Sequence, residues 1–526
     1  MRTGTMVAVL LLGLTVLAAA TGTAEATGVI SGWEHVGRFD SGLGEGAAEI
    51  VAYDAGTSRL FVVNAAQTSV DIVDISDPAM PELVRHIDAT AFGASANSVA
   101  VHGGVVAVAI EGANVDDTGR VVLLNSNGDY ITDYEAGVLP DMVAFSPNGR
   151  YIVVANEGEP SDDYSIDPEG SVTVIDIRRG ATTGTVRHAD FSSFNARRDE
   201  LTAAGVRLFG PGATVAQDLE PEYVAVSSDS RTAYVTLQEN NAVAVVDLPT
   251  ASVRDVVALG VKDHSQEQYR LDPSNRDDGI RFRTGNVLGM YMPDSIARIT
   301  LGGRDYLLTA NEGDARDYDG YSEEVRVADL TLDRDAYPNA AEFQDDAVFG
   351  RLKTTTATGD VDDDGDVDQV YSYGARSLSI WRPTADGIRL TGDTGALMEV
   401  MMARRTPEGF NANDGLMSEF DERSDDKGPE PEAVVGAQIG ARSYAFVGLE
   451  RALGGVMIFD VSIPARPRFV DYILSNDGSG EAGNDVAPEG LVFIPGNESP
   501  TGAPLLVASY EVSGTVSIYG IEVTPR

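Results

Sequence analysis

The sequence predicts an all-β chain folded as a β-propeller of seven or eight four-stranded blades, and three observations support this. A phrase recurs along the chain: Pro with Asp or Glu, a short apolar run, a Gly/Asn turn, a second run ending in an acid, and a third ending in Asp. It returns at intervals of roughly 40 residues or more, the spacing of propeller blades. The runs are short, rich in Val, Ile, Tyr and Thr, and bounded by Gly, Asn, Asp and Pro. That is the composition of strands rather than helices.

In chain order, Arg2, the apolar run Met6 to Ala20 and Ala24-Glu25-Ala26 have the anatomy of a cleaved export signal over residues 1–26. The run is short for a bilayer span, and no second one follows. Residues 27–526 read as one propeller domain. The segment Trp33 to Phe39 reads as a lone strand, expected to close the blade formed by Val486 to Ile521. Repeat-like units begin near Ala48, Asn97, Pro140, Pro221, Pro293, Asp366, Pro431 and Pro488. The Pro293 copy runs Pro293-Asp294, Asn311-Glu312 and Asp329, and the unit near Asp366 has no clear innermost strand, so both blade counts stay open. Insertions are expected at 181–218, 262–286 and 398–428, with a short helix about Arg197 to Ala204. Loops on a rigid scaffold carry specificity. The chain ends Ile521-Glu-Val-Thr-Pro-Arg526 with no apolar tail. The expectation is therefore an exported protein, secreted or periplasmic, with no C-terminal anchor and no transmembrane helix after signal removal.

The chain has no cysteine, which excludes disulfides, thiolate metal sites and a Cys nucleophile. Its formal net charge is −44, from 82 acidic and 38 basic residues, and lysine occurs only at Lys262, Lys353 and Lys427. Such a surface repels nucleic acid and anionic membranes. It reads either as solubility in a salty medium or as cation binding.

The acids of the repeat form two sets. Glu49, Asp141, Glu222, Asp294, Glu432 and Glu489 precede first strands; Glu111, Glu157, Glu239, Glu312, Glu450 and Glu511 end second strands, with Asn64 in that place in the first unit. Strand direction alternates along a blade, so both sets are expected at one mouth of the central channel. Crowded carboxylates raise one another's pKa, and hard cations such as Ca²⁺ relieve them through oxygen ligands. The competing reading makes these acids turn signatures that cap amides or pair with arginines such as Arg316 and Arg451. Asp314 and Arg316 follow Glu312 in the densest mixed cluster, Asn311 to Gly320, where ligands for a metal and an anion would lie side by side. The sharpest motif is Asp360-Val-Asp362-Asp-Asp364-Gly365-Asp366-Val-Asp368, the D-x-D-x-D-G pattern of a calcium loop. Tyr371 stands at position twelve instead of the usual Glu, so this is an EF-like loop without EF-hand helices, expected to hold a structural Ca²⁺. No G-x-S-x-G, H-E-x-x-H or P-loop motif is present, and the five histidines show no ligand spacing.

Val153 to Pro160, Leu308 to Arg316, Tyr373 to Trp381, Gly428 to Glu432 with Ala445 to Arg451, and Ala487 to Leu491 together resemble the choice-of-anchor family I of bacterial exported proteins. These are also described as mesenchyme-specific cell surface glycoprotein-like. The resemblance implies an extracellular propeller joined to varied surface anchors, and some members carry an alkaline phosphatase label. Two functions follow. In the first, an exported propeller binds a small anionic ligand or a surface partner on a Ca²⁺-holding acidic face. In the second, a Ca²⁺-dependent phosphoesterase uses Glu157, Asp294, Glu312, Asp314, Glu432 and Glu489 as ligands, with Arg316 and Arg451 on the anion.

Overall fold

A computed structural model describes residues 28–480 and 483–525; the expected export signal, residues 1–26, lies outside them. The protein is an all-β propeller. Seven sheets have four strands each, every one an antiparallel meander. The innermost strands are Val51–Asp54, Ala96–His102, Pro140–Phe145, Pro221–Val226, Ile296–Leu301, Pro431–Ile439 and Pro488–Ile494, defining blades one to seven. They contact one another in chain order, and the last contacts the first. The fourth strand of blade seven is Gly28–Asp40, paired along its length with Thr515–Pro525. The core lies between blades. Each neighbouring pair encloses one buried apolar cluster, such as Phe39, Val51, Leu60, Ile494, Leu505 and Val516 between blades seven and one. No helix among the described residues is long and apolar enough to cross a membrane.

Two expectations are corrected in blade five. Its third strand is not the run ending at Asp329, because Val327–Asp329 is a 3-10 turn; the strand is Ser377–Thr384. The unit near Asp366 is accordingly no separate blade, since its second run supplies that strand and its first, Val370–Ser372, pairs with Val287–Met290. Residues 312–376 thus form a long excursion inside one hairpin. With residues from 271 to 287 it builds its own apolar cluster, including Leu271, Val287, Leu332, Phe349 and Val370. The 181–218 segment holds the outer strand of blade three, Thr185–Asp190, as well as a helix, Arg198–Ala204. The 398–428 segment buries Met398, Met402 and Phe410 against blades five and six.

Candidate functional site

Four of the five Pro–acid phrases mark a β-bulge, whereas after Pro293-Asp294 the first strand pairs from Ile296 without a slip. Pairing between the first two strands slips after Pro140, Pro221, Pro431 and Pro488, so Asp141, Glu222, Glu432 and Glu489 fall on the irregular residues. A bulge frees a side chain from strict alternation and re-aims it, and proline tolerates the place because it has no N–H to pair. The residue before the proline takes a left-handed backbone at Leu139, Met292, Glu430 and Ala487, with φ of 47°, 42°, 46° and 60°. Such conformations cost about 1–3 kcal/mol each in a non-glycine residue. In three of these blades its carbonyl accepts the N–H of the acid ending the second strand: Glu157 to Leu139 at 2.8 Å, Glu450 to Glu430 at 2.9 Å and Glu511 to Ala487 at 2.9 Å. In these three blades a backbone knot therefore binds the two sets of acids together. Hydroxyls from neighbouring strands fix the carbonyls of the mouth acids: Thr236 to Asp294 at 3.0 Å, Ser295 to Glu432 and Ser509 to Glu49.

The knots surround a cavity of ≈590 Å³ lined by Glu49, Asp141, Glu157, Glu222, Asp294, Glu312, Asp314, Glu432, Glu450, Arg451, Glu489 and Glu511, with Lys427 and Gln238. Glu111 lines an adjoining depression with Glu159, and Glu239 lies behind the rim, its carbonyl accepting from Arg207. Arg316 is not available to an anion. It is 1% exposed, with Nη1 2.6 Å from Asp218 and Nη2 2.9 Å from Glu220.

The carboxylates at the cavity fall into two sets. In one, Lys427 Nζ reaches Glu312 at 2.7 Å, Asp314 at 3.3 Å and Glu430 at 3.4 Å. Arg451 reaches Glu450 at 2.8 Å and Glu430 at 3.3 Å, and Arg423 reaches Glu430 at 2.7 Å. Burial opposes the charge of Glu430, but Lys427, Arg423 and Arg451 overcome it and hold that carboxyl down at about 2. Oxygens of Glu312, Glu430 and Glu450 lie within 4.8 Å of one another; the cations lie against all three, but burial and the neighbouring acids still raise Glu312 and Glu450.

The second set comes from blades one and three to seven and so rings the channel. Glu49, Asp141, Glu157, Glu222, Asp294, Glu432 and Glu489 make no ion pair among the described residues. Burial first, and then the neighbouring carboxylates, push Glu49 up to about 8 and Asp141 and Glu489 up to about 7. The same causes raise Glu157, Glu222, Asp294 and Glu432 well above the usual range. Glu222 lies beside Asp294, and Glu432 beside Glu489, each across a blade boundary. Ionised carboxylates only accept, so such neighbours are eased by a proton or a cation between them. Oε2 of Glu222 and Oε2 of Glu432 are buried with no partner. An all-oxygen donor set with spare, buried acceptors fits Ca²⁺, which takes six to eight oxygens.

The Asp360 to Asp368 loop lies in the blade-five excursion. Asp360 accepts from the amides of Asp364 at 3.2 Å and Gly365 at 2.9 Å, and Asp368 from that of Val361 at 2.7 Å. Part of its acidity therefore caps its own turn. Asp360, Asp362 and Asp368 still bring oxygens within 4.8 Å, and Asp333, Asp366 and Asp368 form a second such group. Asp333 carries no signal in the motif. A bridge between Leu332 and Val367 and the bond from Asp333 N to Val367 O at 3.1 Å put it there. Tyr371 at position twelve places its hydroxyl on Gln369, 2.6 Å away.

The family model of the choice-of-anchor I domain matches residues 49–464. Gigasin-3a of Magallana gigas is 33% identical over 193 residues, 34% of this chain and 66% of its own length. The mesenchyme-specific cell surface glycoprotein of Strongylocentrotus purpuratus is 28% identical over 378 residues, 64% of this chain and 46% of its own length. The chain thus spans less than two thirds of either curated relative. Among solved structures, hydrazine synthase of Kuenenia stuttgartiensis aligns with a TM-score of 0.46 at 13% identity, covering 90% of this chain and 95% of that one. The Cps50 (Swd1) β-propeller domain of Myceliophteria thermophila aligns with a TM-score of 0.45 at 9% identity, covering 94% and 100%.

Proposed function

Since this chain belongs to the choice-of-anchor I family, we propose that it works outside the cytoplasm as a binding propeller that engages an anionic ligand or surface partner through Ca²⁺ held at its acidic mouth. The observation that carries this reading is the contrast in ion pairing between two sets of carboxylates lining one cavity. One set of carboxylates is matched by Lys427, Arg423 and Arg451, whereas seven others converge with no cation beside them. Glu432, Glu489, Glu222 and Asp294 are the first ligand choices, with Glu49 and Asp141 beside them. Ca²⁺ there would supply a positive centre for an anionic group, and Lys427 and Arg451, which line the same cavity, would orient that group. Calorimetric titration of Ca²⁺ into chelator-treated protein tests it. The expected result is a site that weakens at least tenfold in Glu432→Gln and Glu489→Gln and persists in the loop variant Asp362→Ala/Asp364→Ala. Unchanged affinity in both mouth variants would refute it.

The second reading is a Ca²⁺-dependent phosphoesterase, favoured by the presence of Lys427 and Arg451 in the lining of the same cavity as the carboxylates. In it the two cationic side chains would bind and orient the phosphoryl oxygens of a phosphate ester, while Ca²⁺ polarises the group and activates water. Turnover of p-nitrophenyl phosphate that needs Ca²⁺ and disappears in Lys427→Met supports this reading. Absent or chelator-insensitive turnover discards it and leaves the binding reading in place.

A further inference from the structure

Third strands begin at the mouth, where second strands end, so the turns that follow them lie at the opposite side of the propeller. At two of these turns, in blades five and six, the surface is hollowed. The first hollow, of ≈410 Å³, surrounds the turn between Ser377–Thr384 and Gly387–Asp393 and is lined by Arg382, Thr384, Asp386, Arg389, Leu390 and Thr391. The second, of ≈380 Å³, lies at the turn between Val456–Asp460 and Arg468–Ile473, where Arg442, Arg466 and Arg468 meet Asp460, Ser462 and Ile463. The two are neighbours. Gly392, next to Thr391, packs so closely on Pro464, next to Ile463, that a Cβ would stand 2.0 Å from the Pro464 carbonyl oxygen.

Acids outnumber bases 82 to 38 along the chain, yet these two linings hold five arginines and two aspartates. Both aspartates are already engaged. Asp460 pairs with Arg442 and accepts from Ser462 N at 3.0 Å, and Asp386 stands 3.8 Å from Arg389. Arg382, Arg466 and Arg468 are exposed, with no ion pair and no side-chain hydrogen bond among the described residues. In so acidic a protein, guanidiniums left without a carboxylate on two adjoining hollows call for an anion from outside, and for one with more than a single charge. The guanidinium fork matches carboxylate and other oxyanions through paired N–H bonds. Thr384, Thr391 and Ser462 add hydroxyls beside the arginines. No aromatic ring enters either lining, so the stacking that holds single-stranded nucleic acid is not provided.

We propose that the paired hollows bind an acidic polysaccharide, with carboxylate or sulfate groups of nearby sugars on Arg382 and on Arg466 with Arg468. The sugar rings would cross the ridge at Ile463, which is 55% exposed. The site needs no Ca²⁺ and is independent of the mouth.

The probes are a heparin hexasaccharide and hexagalacturonate, titrated calorimetrically into the full chain in chelator-containing buffer. Saturable binding of at least one of them, at one site per chain and weakening with added salt, is expected; which binds tighter tells sulfate from carboxylate. Affinity should fall at least tenfold in Arg466→Gln/Arg468→Gln and several-fold in Arg382→Gln, all exposed positions, with the melting curves unchanged. Glu432→Gln, at the mouth, should bind as wild type does. Neutral maltohexaose and a thymidine dodecanucleotide should bind more weakly than the acidic sugars. No binding of either acidic hexamer, affinity undiminished in the arginine variants, or tighter binding of maltohexaose or the oligonucleotide would overturn the proposal.

Discussion

Two carboxyl groups buried side by side are eased by a proton or a cation between them, and Glu432 with Glu489 is such a pair. In metal-free protein a proton fills that role, and the sign of its effect on stability follows. A carboxyl raised on folding binds its proton more tightly in the native state than in the unfolded chain, so its contribution is full below the unfolded value and is lost as pH climbs through the folded one. For Glu49, from 4.5 to about 8, and for Glu489, from 4.5 to about 7, that window spans mildly acidic to mildly alkaline solution. Replacing one carboxyl by an amide removes the repulsion and the cation ligand together. Glu432→Gln should therefore melt a few degrees higher than wild type at pH 8.5 without Ca²⁺, and lower than wild type when Ca²⁺ is present. Scanning calorimetry in both buffers reads the crossover; a variant that melts lower in both would show that Glu432 is a structural cap. Sequence alone could not separate Arg451, which faces the cavity, from Arg316, which does not. Both follow acids at the end of a second strand, but the partners of Arg316 are Asp218 and Glu220, about a hundred positions away in sequence.

At the scale of one blade, the Asn-Glu-Gly phrase divides into three tasks. Asn156 donates to Ser171 Oγ and Thr173 Oγ1, at 3.2 and 2.9 Å, and accepts from Gly137 N at 3.0 Å. Asn311 ties Ser377 and Ser379 in the same way, at 3.1 and 2.8 Å. The asparagine is thus the polar rivet of the sheet, and the glutamate beside it is left for the mouth. Glycine follows because the backbone turns left-handed there; at Gly313, φ is 92° and a Cβ would stand 2.0 Å from Gly374 N. Asn156→Ala should cost about 1–3 kcal/mol, since it strands buried donors and acceptors, as urea unfolding would measure. An undiminished midpoint would mean that water takes over the asparagine's bonds. The repeat was legible because bulge, strand end and turn are local and leave residue-level signatures. What stayed hidden came from packing at a distance. The blade-five excursion splits a hairpin by sixty-odd residues (312–376). Lys427 reaches the mouth because Met398, Met402 and Phe410 seat its segment on blades five and six. Asp333 meets the Asp360 loop through a single bridge.

For the whole molecule, the fold explains how so much like charge can gather in one place. Buried clusters between consecutive blades, and a thirteen-residue N-terminal strand completing blade seven, make a frame rigid enough to hold carboxylates that would otherwise separate. Loss of Gly28–Asp40 would bare the edge of Thr515–Pro525, and exposed edges invite association. A chain lacking those residues should aggregate on size-exclusion chromatography, whereas a monomer with an unchanged melt would show that the strand is dispensable. The same frame makes the central claim, that the mouth is a cation site held open by protons when empty, accessible to one experiment. Thermal melts of chelator-treated protein, run from pH 5 to pH 9 with and without Ca²⁺, read it directly. The claim predicts that melting temperature without Ca²⁺ falls as pH rises across this range and that Ca²⁺ restores it most at the alkaline end, where the carboxyls are ionised. Metal-free stability that does not fall with pH, or a Ca²⁺ effect equal at pH 5 and pH 9, would contradict it.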